Sequence, residues 1–415
     1  MSRRQDGLPA RVGGGLGLAL LVATTLSAAD MPPDPDLATE GMKRLGPFYT
    51  RPFVALRDAG YDDNVRLEAE DRQGDTTATF GGGIEALLLT GDRGGLRLFN
   101  ELDYVAFARN ADLAHWNGRA RARGVLLLRK TAVSLEEDFF SVRERPNNEV
   151  DQRLRRENNA ITATLRTLNK GRLKMKSSLR QESIGYSSGE PSGEEAARRL
   201  DRNERSLTIS GDLAILPKTT FTTEGAIRRI EFVRVDEGRD SREVSVLLGL
   251  RFDPSASIQG SFSIGRADLT LPDQPENSFR GAVGEGQLSM RLGHFARVKT
   301  TFQRGTEFSS LENNPYYVNS GWTAAYEQLL SRRVSAELLY GRGKNHYPEP
   351  VTLTRPPARP GIRDDRLTTY EVGVRFRAAD QLSIAAQAHR FIRDSTDDFY
   401  DRQRNVYAIT SRFDF

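Results

Sequence analysis

Apolar and polar residues alternate along most of this chain, from near Phe48 to the last residue, Phe415. In 79–89, Phe80, Ile84, Ala86 and Leu88 share one parity, and Gly81, Gly83 and Glu85 the other. In 96–107, Leu98, Leu102, Tyr104 and Ala106 oppose Arg97, Glu101 and Asp103. In 116–128, Trp116, Ala120, Ala122, Leu126 and Leu128 oppose Arg119, Arg121 and Arg123. Leu173, Met175 and Leu179 oppose Lys174, Lys176 and Arg180; Leu288, Met290 and Leu292 oppose Glu285, Gln287 and Arg291. Tyr370, Val372, Val374 and Phe376 oppose Glu371, Arg375 and Arg377. Successive Cβ atoms point to opposite faces of a strand, so each segment predicts a strand with one apolar and one polar face.

The connections alternate as well. Short ones at 91–95, 129–131, 169–171, 216–218, 253–255, 293–294, 331–333 and 378–380 interleave with longer polar stretches. The longer ones are 61–74, 142–156, 187–202, 268–278, 309–315, 343–366 and 393–402. Tight turns at one end and long loops at the other predict an up-and-down sheet of about 18 strands, an even number as bacterial outer-membrane barrels have. The strands run to roughly 10–14 residues, against about 5–6 in soluble sheets, and no blade-length repeat points to a propeller. An unpaired backbone group in lipid costs several kcal/mol, so such a sheet must close. The predicted fold is all-β: a transmembrane antiparallel up-and-down β-barrel, with short periplasmic turns and long extracellular loops. Tyr104, Trp116, Trp322, Tyr326, Tyr340, Tyr370 and Phe415 are the expected interfacial aromatics.

The first residues change the picture by adding a destination. Arg3, Arg4 and Arg11, the apolar run 14–26 and the small residues Ser27, Ala28 and Ala29 read as a secretory signal over 1–29. Residues 30–47, with Pro32, Pro33 and Pro35, are expected to form a short periplasmic lead with no fold of its own; 48–415 is the barrel. After the signal, no run of 18 apolar residues predicts a membrane helix. A negative mean hydropathy does not oppose a barrel, because only alternate residues face lipid. The absence of cysteine excludes a lipoprotein anchor, disulfides and thiolate metal sites. The 60 basic and 56 acidic side chains nearly cancel, so no nucleic-acid footprint is indicated.

The polar face carries the candidate chemistry. Arg119, Arg121, Arg123, Lys174, Lys176, Arg180, Arg291, Lys299, Arg375 and Arg377 are expected to line the lumen. Glu85, Glu101, Asp103, Glu137, Glu182, Glu224, Glu285, Glu327 and Glu371 are expected to point inward with them. The near balance of sign favours a cross-strand ion-pair lattice; a basic path for an anionic solute uses the same residues. His115, His294, His346 and His389 show no triad spacing, so no catalytic residue is assigned. The pairs Asp62-Asp63 and Asp397-Asp398 lack the spacing of a calcium loop and read as solvated loop charge. The glycine runs 81–83 and 91–95 open no helix, which argues against phosphate cradles. No cofactor or metal is predicted.

Two resemblances sharpen the reading. Tyr407, Ile409, Phe413 and the terminal Phe415 fall on one face of the last strand. This resembles the signal by which Gram-negative outer-membrane barrels reach their assembly machinery. Pro52-Phe53-Val54-Ala55-Leu56, followed by Tyr61-Asp62-Asp63-Asn64-Val65, resembles a family of outer-membrane β-barrel porins linked to exopolysaccharide and capsule gene clusters. The resemblance implies residence in the bacterial outer membrane, in contact with its lipid. It implies an outer-membrane passage for exopolysaccharide, partnered by a periplasmic polysaccharide-export protein. The alternatives are a general or anion-preferring porin for small solutes and, less favoured, a surface enzyme.

Overall fold

The computed structural model describes residues 37–415 apart from 169–170, 236–237, 254–256 and 354–358. The predicted signal and parts of the turns at 169–171 and 253–255 lie outside the described residues. A short strand, β1 (Lys43–Leu45), leads into β2 (Phe48–Asp62), β3 (Asp75–Leu89), β4 (Gly94–Phe107), β5 (His115–Leu127) and β6 (Thr131–Glu144). The wall continues through β7 (Leu154–Thr167), β8 (Leu173–Ser187), β9 (Arg202–Leu216), β10 (Thr219–Phe232), β11 (Ser241–Phe252) and β12 (Ile258–Thr270). Next come β13 (Phe279–Leu292), β14 (Ala296–Phe308), β15 (Tyr316–Leu329) and β16 (Val334–His346), then a detached hairpin of β17 (Val351–Leu353) and β18 (Arg359–Gly361). The last wall strands are β19 (Asp364–Arg377), β20 (Leu382–Ser395) and β21 (Arg402–Asp414). The wall is a closed 18-strand antiparallel β-barrel. Its first strand, β2, pairs with its last, β21, from Phe53↔Asp414 to Asp62↔Val406, so the wall has no free edge.

Alternation sets what each face meets. Phe80, Leu102, Leu135, Leu179, Ile264, Leu338 and Val372 are exposed on the outer face, where hydrocarbon takes the place of a protein core. Tyr104 lies on Trp116 at 4.9 Å, and Trp322, Tyr340 and Tyr370 form a ladder with centroids 5.5 and 5.3 Å apart. Parity breaks once in β2. Pairing slips between Arg57 and Gly60 on the β3 side, and Asp58 takes φ 51°. This bulge puts Tyr61 outside and Asp62 inside; unbroken alternation from Phe53 would reverse them. The glycine run in β3 serves packing. A Cβ at Gly81 would lie 1.8 Å from Asp103, and one at Gly83 would lie 2.8 Å from the Phe53 ring.

Several expectations are corrected. The lead before the barrel has structure: β1 pairs with 48–50 across a turn where Gly46 takes φ 62°, and Leu37 packs against Val125, Leu127 and Ala132. The stretch 187–202 carries a helix, α1 (Pro191–Leu200), with Pro191 in its first turn, Glu194 beside it, and Arg198 and Arg199 in its last turn. Its Ala197 and Leu200 pack on Val150, Leu154, Ile184 and Tyr186. Glu137 faces outward between the exposed Leu135 and Phe139, whereas Glu136 and Asp138 turn inward to arginines of β5. Three successive acids give no local sign of parity; the neighbouring apolar residues set it. The long stretch 343–366 is partly strand: β16 runs to His346, β17 and β18 form the detached hairpin, and β19 starts at Asp364.

The wall is also not uniform. β13 and β14 pair only from Leu292↔Ala296 to Gly284↔Arg304, although both extend further toward the loops. Beyond that point Tyr316 and Val318, on the outer parity of β15, join Ile230, Leu269 and Phe279, on the inner parity of their strands, in one buried cluster. Phe308 packs against the same cluster. The β14–β15 rim thus bends into the extracellular mouth.

Candidate functional site

On the inner face the charges pair across strands. Arg121 reaches Asp138 at 2.9 Å and Arg123 reaches Glu136 at 3.1 Å. Arg57 bridges Glu101 and Asp103, the latter at 2.6 Å. Glu85 is held between Arg97 and Arg51, and Arg180 holds Glu182 at 3.0 Å. Across the barrel Arg228 binds Glu243 at 2.9 Å and Lys299 binds Glu327 at 3.1 Å. Such half-exposed pairs are worth about 0–1 kcal/mol each. Their effect is to fix where charge stands on the wall. Among the described residues Arg119, Lys174, Lys176, Arg375 and Arg377 make no ion pair, and neither do Glu285 and Glu371. Arg291 lies in β13 on the inner parity, toward the short turns.

The extracellular mouth is crossed by loop 145–153, between β6 and β7. Asn147 shapes it: its Oδ1 accepts from the backbone N–H groups of Glu149 and Val150, both at 3.0 Å, and its Nδ2 donates to the Phe308 carbonyl. Arg393, 1% exposed, donates to the carbonyls of Asn148 and Tyr400 and to Asp151 at 2.8 Å. Arg402 binds the other oxygen of Asp151 at 2.7 Å. Glu149 accepts from the hydroxyls of Ser309 and Ser310 at 2.9 and 3.1 Å and from the Ser310 N–H at 3.2 Å. Burial pushes its carboxyl above the ordinary value, against the pull of Arg363 and of these hydrogen bonds. Arg363 is itself fully buried. It lies over the rings of Tyr347 and Tyr400 at 4.6 and 3.5 Å and grips Asp365 with two hydrogen bonds. A loop tied through buried, paired charges is a fixed plug.

The plug leaves room on one side. A cavity of about 590 Å³ lies inside β2–β6 and β20–β21, lined by Arg57, Arg119, His115, His389 and Arg404 among others. A second, of about 600 Å³, runs between loop 63–74 and loop 145–153, past Arg66, Arg145 and Arg402. Arg143 and Arg153 line both. Arg57 and Arg404 are neutralised by acids. Arg119, Arg143 and Arg153 have no carboxylate partner among the described residues, and the Arg153 Nε is buried without a hydrogen bond. Burial and the neighbouring Arg153 and Arg404 push Arg145 down to about 9; burial and Arg404 push Arg153 down to about 10. The cations here are crowded, Arg145 and Arg153 lying near Arg404, and they share the two linings with Asp58, Glu68, Glu70 and Asp398.

The motif 61–65 fastens the barrel seam. Asp62, 1% exposed, takes two hydrogen bonds at 3.0 Å and one at 2.7 Å from Arg404 of β21. Asp63 accepts from the backbone and side-chain nitrogens of Asn405. Asn64 donates to the Gln403 carbonyl at 3.0 Å, and Val65 is buried with Phe107 and Leu113. Tyr61 stands outside, opposite Tyr407. Asp62 and Asp397 are therefore not solvated loop charge; both are 1% exposed. At the other end Tyr407, Ile409 and Phe415 are exposed on the outer face, Phe413 packs on Phe415 at 4.9 Å, and the Phe415 N–H donates to Pro52 of the first wall strand. Among the described residues no group of three His, Asp or Glu could hold a metal. None of the described histidines hydrogen-bonds a serine or threonine hydroxyl; His115 donates to the Leu113 carbonyl and His346 contacts Asp364.

Sequence reading missed Glu149, Asp151, Arg363, Arg393 and Arg402 as a network, and Arg143, Arg145 and Arg153 as a cavity lining. The only signal was the density of arginine at both ends of 143–156, which loops at a water interface also show.

A closed barrel with a polar lumen, a lipid-facing apolar belt and a loop folded into its mouth defines an outer-membrane porin. The chain belongs to the family described as "Putative beta-barrel porin 2", whose model matches residues 34–415, and it resides in the bacterial outer membrane. Among solved structures it is similar to a BenF-like porin from Pseudomonas fluorescens Pf-5, with TM-score 0.53 and 11% identity over 89% of this chain and 100% of that one. It is similar also to OccAB3 of Acinetobacter baumannii, with TM-score 0.52 and 8% identity over 88% and 99% of the two chains. For OprD of Pseudomonas aeruginosa the values are 0.50 and 10% over 92% and 99%. At these identities the likeness is one of fold. No functionally curated protein matches the chain.

Proposed function

We propose that the protein is a passive diffusion channel for small anionic solutes. The observation that carries this reading is the pair of adjoining cavities joined at Arg143 and Arg153, where four arginines, Arg119, Arg143, Arg145 and Arg153, lack carboxylate partners among the described residues. A small carboxylate or phosphate entering past Arg66 meets successive guanidinium groups, each a weak and replaceable contact. One of the solved structures that share its fold is named a BenF-like porin, which supports the reading. The exopolysaccharide-export reading has less behind it: loop 145–153 stands across the lumen on buried anchors, and a polymer would have to displace all of them. The histidine geometry supports no enzymatic reading. The outward Tyr407, Ile409 and Phe415 support a role in assembly of the barrel.

Reversal potentials in planar bilayers test the channel reading. The wild-type protein is expected to prefer anions. The triple variant Arg119→Glu, Arg143→Glu, Arg153→Glu is expected to shift the permeability ratio toward cations by at least about fivefold, since one unit charge at 4 Å is worth about 1 kcal/mol even in water. Equal selectivity in both proteins would refute the anion path. Loss of surface polysaccharide on gene deletion, with no steady conductance from the pure protein, would restore the export reading.

A further inference from the structure

We infer that the groove on the outer surface beside β14–β16 and β19–β20 binds a phosphorylated glycolipid of the outer leaflet. Where the rim bends inward, the outside of the wall is left hollow. The hollow holds about 680 Å³ and is lined by Trp322, Arg342, Lys344, Asp364, Arg366 and Asp394. Register puts these residues on the lipid-facing parity. Trp322 pairs with Arg342, Ser320 with Lys344, and Lys344 in turn with Arg366. From Trp322 the aromatic ladder continues to Tyr340 and Tyr370, below Arg342 and Arg366 on the same face, which is the level at which interfacial aromatics mark the end of the hydrocarbon.

The charge at this level is not balanced. Lys344 is paired with Asp364 at 2.9 Å. Arg342 and Arg366 are exposed and make no ion pair among the described residues, and Arg390, opposite Tyr370, is in the same condition. Arg304 of β14 adds a fourth guanidinium, which among the described residues donates only to the Ala282 carbonyl. Guanidinium groups outside the barrel serve no solute in the lumen. Set one strand width apart, just above an aromatic belt, they match the phosphate oxygens of a lipid headgroup, which arginine binds through two parallel hydrogen bonds. The occupant is lipid because the groove continues into the apolar surface: Phe302 lies at its floor, beside Trp322 in register. Acyl chains therefore have a surface to lie on where a free phosphate has none.

The test is native mass spectrometry of the detergent-solubilised barrel titrated with lipid A, with dephosphorylated lipid A and inorganic phosphate as separate arms. The wild type is expected to hold lipid A in defined stoichiometry, to bind the dephosphorylated form at least about tenfold more weakly, and to be insensitive to inorganic phosphate. The variant Arg342→Ser, Arg366→Ser is expected to lose lipid A by a similar factor while keeping its heat-modifiable gel mobility. Arg229→Ser, on the outer parity of β10 away from the groove, is expected to bind normally and serves as the folding-matched control. Equal binding of lipid A by wild type and double variant overturns the inference. So does equal loss in the control, displacement by inorganic phosphate alone, or a bound mass equal to a second copy of the chain. Ion selectivity of the double variant is expected to be unchanged, so failure here is distinguishable from failure of the channel reading.

Discussion

The two sides of the extracellular mouth are built from strands of the same length and alternation, yet one is sealed and the other open. On the β10–β15 side the inner positions nearest the mouth are Ile230, Phe232, Leu269 and Phe279, and the bent rim covers them with Tyr316 and Val318. On the β2–β6 and β21 side Phe107 is covered by Val65 and Leu113, but Arg57, Asp62, Arg143 and Arg404 line a cavity instead of an apolar cluster. Apolar inner residues above the membrane invite another layer of protein, because burial stabilises by about 25 cal/mol per Å². Charged ones keep water and so keep a path. The lesson is that a barrel's opening is set by what its strands carry above the membrane, where alternation no longer has to answer to lipid.

The strongest way to break the contrast is to release the plug. Arg393 holds loop 145–153 through Asn148 and Asp151 from a fully buried position. Arg393→Ala leaves Asp151 with one cation fewer, and opening a buried pair costs about 3–5 kcal/mol. The expected result is a several-fold rise in single-channel conductance with larger fluctuations, measured in planar bilayers. Conductance equal to wild type would mean that the loop does not limit the pore.

The seam offers a smaller effect, confined to the open side. Asp62→Asn removes the charge that Arg404 binds with three hydrogen bonds and adds an uncompensated cation to the cavity. The expected loss is about 1–3 kcal/mol, seen as a lower thermal midpoint in detergent, together with a stronger anion preference. An unchanged midpoint would show that the register of β2 on β21 closes the barrel without the 61–65 motif.

These contrasts divide what the sequence discloses from what it withholds. The alternation of Leu173, Met175 and Leu179 with Lys174, Lys176 and Arg180 disclosed strand, face and membrane at once, because lipid on one side and water on the other impose a period of two. The count of strands followed from the turns. The bulge at Asp58 could not be read, since one extra residue changes no composition, yet it decides that Asp62 and not Tyr61 meets Arg404. The plug was illegible for a different reason: Glu149 and Ser309 lie 160 positions apart and Asn148 and Arg393 lie 245 apart, and each alone reads as loop polarity. Helix α1 carried its signals openly in Pro191, Glu194, Arg198 and Arg199, but at ten residues it was outweighed by the period-two background.

The finest test of the sealed side is its response to pH. Burial raises the Glu149 carboxyl above its ordinary 4.5, and the groups around it are Arg363, Tyr317, Tyr347, Tyr400 and the two serines. The folded, plugged state therefore binds this proton more tightly than the released loop does. Stability falls with pH wherever the native state holds more protons. The contribution of Glu149 to plug closure is thus complete below pH 4.5 and declines as pH rises through its raised value. Glu149→Gln, which keeps the side-chain shape without the charge, is expected to lose that dependence. The comparison of closed dwell times in wild type and variant across pH 4 to 8 isolates it from the lattice carboxylates, which are the same in both proteins (each pH unit of differential binding being worth about 1.4 kcal/mol). A wild-type closed fraction that is flat across this range, or identical to that of Glu149→Gln, would show that loop 145–153 is held by Arg393 and Arg402 alone, and that the serine pocket around Glu149 is packing without a protonic role.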